Sequence, residues 1–372
     1  MADPSSSGSR PTVVVIGGGY GGYAAAKALD DVAAVTLVEK RDAFVHNVAA
    51  LRALVDPDWL SSIFLPYDRL LEHGRVIHDR AVEVDVGRVL LASGEELGAD
   101  YLVLASGSHY PYPAKTDSDH STVAAARYQR SHDELSEAKR VLILGSGPTG
   151  LELAGEFSSV WPEKRITILE TGADILPGPF DPRLREELHR QLAERGIELL
   201  LGDELESDPG IPAASLAPFT VRTRAGRTID ADILFRCFGV TPVSDYLTGR
   251  LAAARHSDGY VEVTPQLHLP GQPTVYAVGD ISTADYNTAG RAGRQAATAA
   301  ANIQAHHNDD PLEIYEPLPP VIVIPFGPSG GASQLPGQEA IAGPDATSEL
   351  KGRHLFVDRY RELFGLEPLP TP

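Results

Sequence analysis

Cysteine is almost absent from this sequence: Cys237 is the only one among 372 residues. A single thiol excludes an intramolecular disulphide, a thiolate metal cluster and a redox-active Cys-x-x-Cys pair. The apolar run around Cys237 indicates a buried thiol that packs as a small hydrophobic side chain. A chain without disulphides suits a reducing compartment, so we expect a cytoplasmic protein. We also expect no metal site.

Long apolar runs and excess positive charge are also lacking. No run approaches the ~20 residues of a membrane-spanning helix, and residue 2 is alanine rather than the glycine that N-myristoylation requires. We therefore expect at most peripheral membrane contact. The net charge of −19 repels nucleic acids, so we expect no nucleic-acid partner. The sequence leaves open whether the chain forms a homodimer.

Strand-like and helix-like patterns alternate along the chain. Residues 12–40 read as strand, glycine loop, helix and strand, and residues 139–170 repeat that order. An amphipathic helix follows near 181–196, strands near 219–240, and an alanine-rich helix near 289–305. This alternation predicts an α/β fold with parallel sheets, built from two Rossmann-like dinucleotide-binding domains and a small C-terminal domain.

The first glycine loop has the spacing Gly17-x-Gly19-x-x-Gly22. The first glycine allows a tight turn, the second lets the backbone approach a pyrophosphate, and the third lets the helix pack on the strand. Glu39 ends the next strand, 22 residues after Gly17, where a carboxylate would accept ribose hydroxyls. The loop therefore predicts dinucleotide binding, and the alternative is a purely structural glycine turn.

The second loop repeats the pattern as Gly145-x-Gly147-x-x-Gly150. Glu170 follows Gly145 by 25 residues and would bond the ribose diol while repelling a 2′-phosphate, which favours NADH over NADPH. The alternative for Glu170 is an ordinary acid at the end of a strand.

Two further motifs assign the loops by resemblance. The stretch TVYAVGD, with Gly279 and Asp280, resembles the second flavin-binding motif of the two-dinucleotide-domain flavoproteins, in which the aspartate binds the FAD ribityl chain. The stretch ASGS, with Ser106 and Gly107, stands where that family has Ala-Thr-Gly. The resemblance implies that the first loop binds FAD and the second binds NADH. The alternative for Asp280 is a helix N-cap.

The same resemblance implies a split first domain with the second domain inserted in it. The predicted parts are a flexible tail (1–11), an FAD-binding domain (12–110 and 243–315), an NAD(P)H-binding domain (111–242) and a C-terminal domain or cap (316–372).

The stretches FVHNVAALRALV, GPTGLELAGE, WPEKRITIL and LKGRHLFV resemble, in order and spacing, the ferroptosis suppressor protein family, which is related to the type II NADH dehydrogenases. That family reduces quinones with NAD(P)H through FAD. The resemblance implies an FAD-dependent NAD(P)H oxidoreductase that passes hydride from NADH to flavin and two electrons to a quinone-like acceptor.

The resemblance also implies a set of reacting residues. His46 and Asn47 would lie beside the flavin ring, Glu152 would face the nicotinamide, and Lys351 would lie near the flavin and the acceptor. The alternatives are a loop-capping histidine, a first-turn helix acid and a surface lysine. Phe356 is either a wall of the acceptor pocket or a core side chain.

Other functions remain open from the sequence. They are reduction of a ferredoxin-type protein, tailoring of a quinone-like natural product, and a non-enzymatic flavoprotein that senses NADH. Arg291 and Arg294 follow the Gly-Asp motif, and we expect solvated helix arginines at both positions. The alternative is that they neutralise a cofactor or an acidic acceptor.

Overall fold

The computed structural model describes residues 10–338 and 340–368, so the predicted tail lies almost entirely outside the described residues. The chain forms two compact units. Unit 1 comprises the residues up to Phe44, Pro66–His109 and Val240–Leu318. Unit 2 comprises Val45–Leu65, Tyr110–Gly239 and the residues from Pro319 onward.

The strands share an extended backbone and mostly buried apolar side chains. In chain order they are β1 (Thr12–Ile16), β2 (Ala34–Val38), β3 (Ala43–Val45), β4 (Phe64–Pro66), β5 (Arg75–Ile77), β6 (Ala81–Asp85), β7 (Arg88–Leu91), β8 (Glu96–Gly98), β9 (Tyr101–Leu104), β10 (Ser108–His109), β11 (Arg140–Leu144), β12 (Arg165–Glu170), β13 (Glu198–Leu201), β14 (Phe219–Arg222), β15 (Thr228–Ala231), β16 (Ile233–Arg236), β17 (Thr241–Pro242), β18 (His268–Leu269), β19 (Gln272–Ala277), β20 (Ile322–Pro325) and β21 (Gly331–Gln334).

The helices range from single turns to about five turns. They are α1 (Tyr20–Leu29), α2 (Asn47–Val55), α3 (Leu60–Ile63), α4 (Ser121–Glu137), α5 (Pro148–Val160), α6 (Pro182–Glu194), α7 (Ala289–His307), α8 (Pro344–Thr347) and α9 (Val357–Leu363). Short 3₁₀ turns occur at Pro57–Trp59, Leu251–Ala254 and Gly279–Ile281, and a π-helical turn occurs at Ser348–Gly352.

Unit 1 is built on a six-stranded sheet in the order β18-β19-β9-β1-β2-β5. All neighbours except β18 and β19 run parallel. A parallel sheet is covered on both faces, which explains why β1 is buried along almost its whole length. Helix α1 follows β1 directly, so its first turn lies at the carboxyl end of the sheet.

Unit 2 repeats this arrangement with four parallel strands in the order β13-β12-β11-β16. Helix α5 follows β11 as α1 follows β1. The predicted α/β fold with parallel sheets is therefore confirmed, and it holds separately for each unit.

The units differ from the predicted domain boundaries in two places. Residues 45–65 and the residues from Pro319 onward group with unit 2. The close approach of α5 to the segment after β20 gives one physical reason: a Cβ added at Gly155 would lie 2.4 Å from the Cα of Phe326. The assignment of the domains to FAD and NADH stays a prediction.

Two local expectations can be compared directly with the structure. The amphipathic helix near 181–196 is α6, and Gly196 follows it with φ of +67°, as expected for a glycine that terminates a helix. The stretch LKGRHLFVDRYRELFG is expected to form a strand or turn followed by a helix. The π-helical turn extends to Gly352, residues 353–356 form a turn, and α9 follows from Val357, as expected.

Candidate active site

The first glycine loop is shaped by close contacts with its own sheet. Gly17 has φ of +95°, and a Cβ there would lie 2.5 Å from the carbonyl oxygen of Ala105 at the end of β9. A Cβ at Gly22 would lie 1.7 Å from the carbonyl oxygen of Gly17. These two positions therefore require glycine, one for its backbone conformation and one for helix packing.

The second loop repeats these contacts in unit 2. Gly145 has φ of +99°, and its Cβ would lie 2.5 Å from the carbonyl oxygen of Cys237, which follows β16. A Cβ at Gly150 would lie 2.0 Å from the carbonyl oxygen of Gly145. The two loops are thus matched in structure as well as in sequence.

The middle glycine of each loop faces open space. A Cβ at Gly19 or Gly147 would meet no atom within 4 Å. Each is the N-cap of the following helix, and neither helix has a side-chain cap. Helix N-termini with free backbone N–H groups favour anions. Both loops therefore fit the pyrophosphate of a dinucleotide.

The acid after each loop is anchored to that loop. Glu39 is 6% exposed and accepts from the N–H groups of Gly18 (2.6 Å) and Arg41 (2.9 Å). Glu170 accepts from the N–H groups of Ser146 and Gly172, each at 2.7 Å. Burial raises the pKa of Glu170, but these hydrogen bonds outweigh it, so the net pKa lies below the ordinary value. Glu170 is therefore ionised at neutral pH.

A cavity of about 390 Å³ lies beside the first loop in unit 1. Its lining includes Gly17, Glu39 and the cationic side chains of Lys40, Arg41 and Arg80. A cavity that joins a glycine loop, an anchored acid and several cations suits the adenosine and phosphate parts of a nucleotide. The lining also includes the carboxylates of Asp79 and Asp245, so these cations are balanced by nearby acids.

The two later flavin motifs lie together in unit 1. Ser108 Oγ donates to Asp280 Oδ2 at 2.6 Å, and Ser106 Oγ donates to the carbonyl oxygen of Val243 at 2.6 Å. The alternative of Asp280 as the N-cap of the alanine-rich helix is wrong, because Thr288 caps α7.

The glycines next to Ser106 and Asp280 have left-handed backbone conformations. Gly107 has φ of +69° and Gly279 has φ of +76°, which favours glycine at both. The Gly279 N–H donates to Gln295 Oε1 at 2.7 Å, so α7 helps to fix the Gly-Asp turn.

Glu152 and Lys351, which are 199 positions apart in the sequence, form an ion pair in unit 2. Lys351 Nζ lies 2.7 Å from Glu152 Oε1, and the two side chains are 13% and 14% exposed. Lys351 Nζ also donates to the carbonyl oxygen of Val323 at 3.3 Å. Glu152 lies beyond the first turn of α5, so neither the first-turn acid nor the surface lysine describes these residues.

His46 lies in the same unit and contacts the segment that follows Lys351. The histidine is fully buried, and its Nε2 lies 2.7 Å from the carbonyl oxygen of Leu355. Burial lowers its pKa to about 4, although the hydrogen bond opposes this shift. The imidazole is neutral at pH 7, and Nε2 donates because a carbonyl only accepts. His46 occupies the N-cap position of α2, but its side chain does not cap that helix.

Asn47 begins α2 immediately after His46.

Phe356 is half-buried with φ of +60°, and Leu355 before it also has a positive φ of 46°. Two consecutive left-handed residues make a sharp turn, and the hydrogen bond from His46 is made to the carbonyl of the first one.

Sequence reasoning missed two positioning side chains. Arg52 of α2 forms a buried ion pair with Glu156 of α5, with Nε 2.6 Å from Oε2. Tyr67 donates its hydroxyl to the carbonyl oxygen of Gly18 at 2.9 Å, within the first loop. Arg52 lies in the quoted stretch FVHNVAALRALV, and Glu156 follows Glu152 by one helical turn, but no local pattern in the sequence links Arg52 to Glu156.

One expectation about the arginines of α7 is wrong. Arg291 is 3% exposed and pairs with the buried carboxylate of Asp285, which also accepts from the hydroxyl of Tyr315. Arg294 is exposed, as expected. Cys237 is buried and 4% exposed, as expected.

Two searches of residues 10–338 and 340–368 concern other kinds of site. No described helix is both long and apolar enough to cross a membrane. No group of three or more His, Cys, Asp or Glu side chains in these ranges could hold a metal ion.

Comparison with solved structures supports the architecture. Sulfide:quinone oxidoreductase from Aquifex aeolicus superposes with a TM-score of 0.75 at 17% identity, covering 97% of this chain and 93% of the other. NDH2 from Plasmodium falciparum, solved in complex with NADH, gives 0.74 at 14% identity, covering 98% and 100%. At these identities the likeness concerns the fold.

Sequence comparison gives the family. Ferroptosis suppressor protein 1 of Taeniopygia guttata is 31% identical over 93% of this chain and 94% of its own, which confirms the resemblance seen in the motifs. The sequence profile described as "Pyridine nucleotide-disulphide oxidoreductase" matches residues 11–302. The chain therefore belongs to the pyridine nucleotide-disulphide oxidoreductase family and is an oxidoreductase of this FAD- and NAD(P)H-binding group.

Proposed function

We propose that this protein is an FAD-dependent enzyme that oxidises NADH and reduces a quinone-like acceptor. The overall reaction is NADH + H⁺ + quinone → NAD⁺ + quinol, in which the hydride carries two electrons and one proton. The observation that carries the proposal is the duplicated glycine loop, with the same contacts in two separate parallel sheets and an acid anchored to each.

The two loops have different ligands in this proposal. The loop of unit 1 holds FAD, because the Gly279–Asp280 turn and Ser106 of the flavin-type motifs lie in the same unit. The loop of unit 2 holds NADH around Gly147. FAD supplies the hydride-accepting and electron-transferring chemistry when it is bound.

Glu170 makes NADH the preferred donor. Its carboxylate is ionised and fixed by two backbone N–H groups, so it accepts the ribose hydroxyls and repels the 2′-phosphate of NADPH. Thr171 and Gly172 follow it in the sequence, and neither offers a positive charge to that phosphate.

Glu152, Lys351 and His46 are the proposed reacting residues. Lys351 supplies a fixed cation where negative charge develops during reduction, and Glu152 holds its ammonium in one place. His46 is neutral and donates to Leu355, so it orients the turn that precedes Phe356 without adding charge. The ligand-binding roles of Asn47 and Gly107 belong to the same proposal.

The quinone part of the proposal rests on the sequence resemblance to the ferroptosis suppressor proteins, which reduce quinones. The similar protein from Aquifex aeolicus is also named for a quinone, but a likeness at that identity bears on the fold. The single cysteine supports direct electron transfer to the acceptor, because no disulphide within the chain could relay electrons.

Paired substitutions of the two open glycines test the loop assignment. Gly19→Leu and Gly147→Leu add the same side chain where no protein atom lies within 4 Å, so each should fold. We expect Gly19→Leu to lose FAD, seen as loss of the yellow colour. Gly147→Leu should keep FAD but lose its bleaching by NADH under anaerobic conditions. Normal bleaching in Gly147→Leu would overturn the assignment.

A further inference from the structure

A second buried ion pair lies one helical turn from Glu152, and the proposed reaction does not use it. Arg52 donates from Nε and Nη2 to the two carboxylate oxygens of Glu156, at 2.6 and 2.9 Å. The two side chains are 7% and 4% exposed. This bidentate pair is charge-balanced, and removing one partner would leave the other charge buried and uncompensated.

The two ion pairs share α5, and Lys351 and Arg52 both contact that helix and the π-helical turn. Glu152 and Glu156 are four residues apart on α5 and so lie on one face of the helix. Lys351 and Gly352 are consecutive in the π-helical turn. Lys351 reaches Glu152 directly, whereas the carbonyl of Gly352 accepts from Arg52 Nη2 at 2.9 Å. Arg52 therefore joins α5 to the residue that follows Lys351.

Lys351 has two carboxylates within electrostatic reach. Burial and the charge of Glu152 hold the pKa of Glu156 above its ordinary value, although the hydrogen bond and charge of Arg52 and the charge of Lys351 lower it. Without Arg52, Lys351 would be the cation left on the face of α5 that carries the buried carboxylate of Glu156. Attraction between opposite charges is strong where water is excluded.

Arg52 is also held in place by Trp59, which lies in the 3₁₀ turn after α2. Its guanidinium carbon lies 5.1 Å from the centre of the Trp59 ring, a cation–π contact. With Glu156, Gly352 and Trp59 as partners, the guanidinium is fixed in position.

We propose that Arg52 is a positioning residue. Because Arg52 pairs with Glu156, the ammonium of Lys351 pairs with Glu152 and not with Glu156. This placement is a property of the folded chain. Only its consequence for the rate of flavin reduction rests on the proposed function.

The partner of Lys351 can be read without turnover. The chain contains six lysines, so reductive ¹³C-methylation of the FAD-loaded protein gives few NMR signals, and Lys351→Arg identifies the signal of Lys351. In the wild-type background we expect Glu152→Gln to shift that signal. In the Arg52→Met background we expect Glu152→Gln to leave it unchanged and Glu156→Gln to shift it. A signal in Arg52→Met that follows Glu152→Gln as in wild type would overturn the proposal.

Three further variants separate positioning from general structural damage. Arg52→Met with Glu156→Met removes both charges, and we expect the Lys351 signal to respond to Glu152→Gln again; a failure of this rescue contradicts the proposal. Arg52→Gln keeps an amide donor for the carbonyl of Gly352 and replaces Arg52→Met if that variant does not fold. We expect Lys351 to change partner in Arg52→Gln as well. Arg140→Met, which breaks the ion pair with Asp232 in the same unit, should leave the Lys351 signal unchanged.

The rate of flavin bleaching by NADH then tests the link to catalysis. We expect Arg52→Met to slow bleaching by about 10- to 100-fold, as for a misplaced catalytic group, and the double variant to recover most of the rate. If Lys351 changes partner and the rate does not fall, the positioning proposal stands and the catalytic role of the Glu152–Lys351 pair fails.

Discussion

The charge of His46 is set by its surroundings rather than by its own chemistry. The side chain is fully buried, and burial lowers its pKa to about 4. A protonated imidazole at this position would add positive charge close to Lys351, whose charge also disfavours protonation. The neutral form is therefore part of the folded state, and acid should weaken that state.

We predict a pH-dependent loss of stability that depends on His46. An unfolded histidine has a pKa of about 6.5, so between pH 6.5 and 4 the unfolded chain binds a proton that the folded chain does not. Stability from His46 is therefore complete above pH 6.5 and is lost as the pH falls towards 4. From pH 7 to pH 5 the loss should be about 2 kcal/mol in the free energy of unfolding.

Tryptophan fluorescence during urea unfolding measures this effect in unit 2, because both tryptophans, Trp59 and Trp161, lie there. His46→Gln should lose less stability than wild type between pH 7 and pH 5, whereas the exposed His120→Gln should behave like wild type. An equal loss in His46→Gln and wild type would show that His46 does not titrate in this way.

Individual side chains were predictable where the reason is local. The glycines of both loops and the acids Glu39 and Glu170 follow from spacing alone, since each acts within its own strand–loop–helix unit. Arg52 and Arg291 were not, because their partners Glu156 and Asp285 become neighbours only after packing. Lys351 was identified by resemblance, and its partner became clear only in the structure.

At the scale of elements, α5 links several parts of unit 2. Its N-terminus follows the second glycine loop, its middle carries Glu152 and Glu156, and Gly155 packs against the segment after β20. No side chain fits at Gly155 because a Cβ would lie 2.4 Å from the Cα of Phe326. The sequence reading did not connect this glycine, which lies just beyond the loop motif, with the C-terminal segment.

Gly155→Ala should therefore separate α5 from the segment after β20. We predict a loss of about 1–3 kcal/mol in the free energy of unfolding, as for an overpacked site. The measurement is urea unfolding of unit 2 by tryptophan fluorescence in the absence of nucleotide. Gly147→Ala is the matched control at the N-cap of the same helix, because its Cβ would meet no atom within 4 Å. Equal midpoints for the two variants would refute the packing argument.

The elements themselves were largely predictable, and their long-range grouping was not. Hydrophobic runs and glycine loops indicated β1, α1, β11 and α5 from local sequence. The assignment of residues 45–65 and of the C-terminal segment to unit 2 depends on contacts such as Gly155 with Phe326 and Arg52 with Gly352. Such contacts join positions far apart in the chain, and no local pattern encodes them.

At the scale of the whole molecule, the proposed function rests on duplication. Two units each have a parallel sheet, a glycine loop whose middle glycine is open, and an anchored acid. The chain is acidic overall, with a net charge of −19, yet the cavity of unit 1 gathers Lys40, Arg41 and Arg80 beside its loop. The same cavity contains the carboxylates of Glu39, Asp79 and Asp245, so its cations are available to phosphate groups without giving the cavity a net positive charge.

The central claim is that NADH reduces a bound flavin, which then reduces a quinone. The most direct measurement is anaerobic stopped-flow absorbance of the FAD-loaded protein, mixed first with NADH and then with menadione. We predict rapid bleaching of the flavin colour by NADH and its rapid return with menadione. Absence of bleaching would contradict the proposed NADH site, and bleaching without return would contradict the quinone as acceptor.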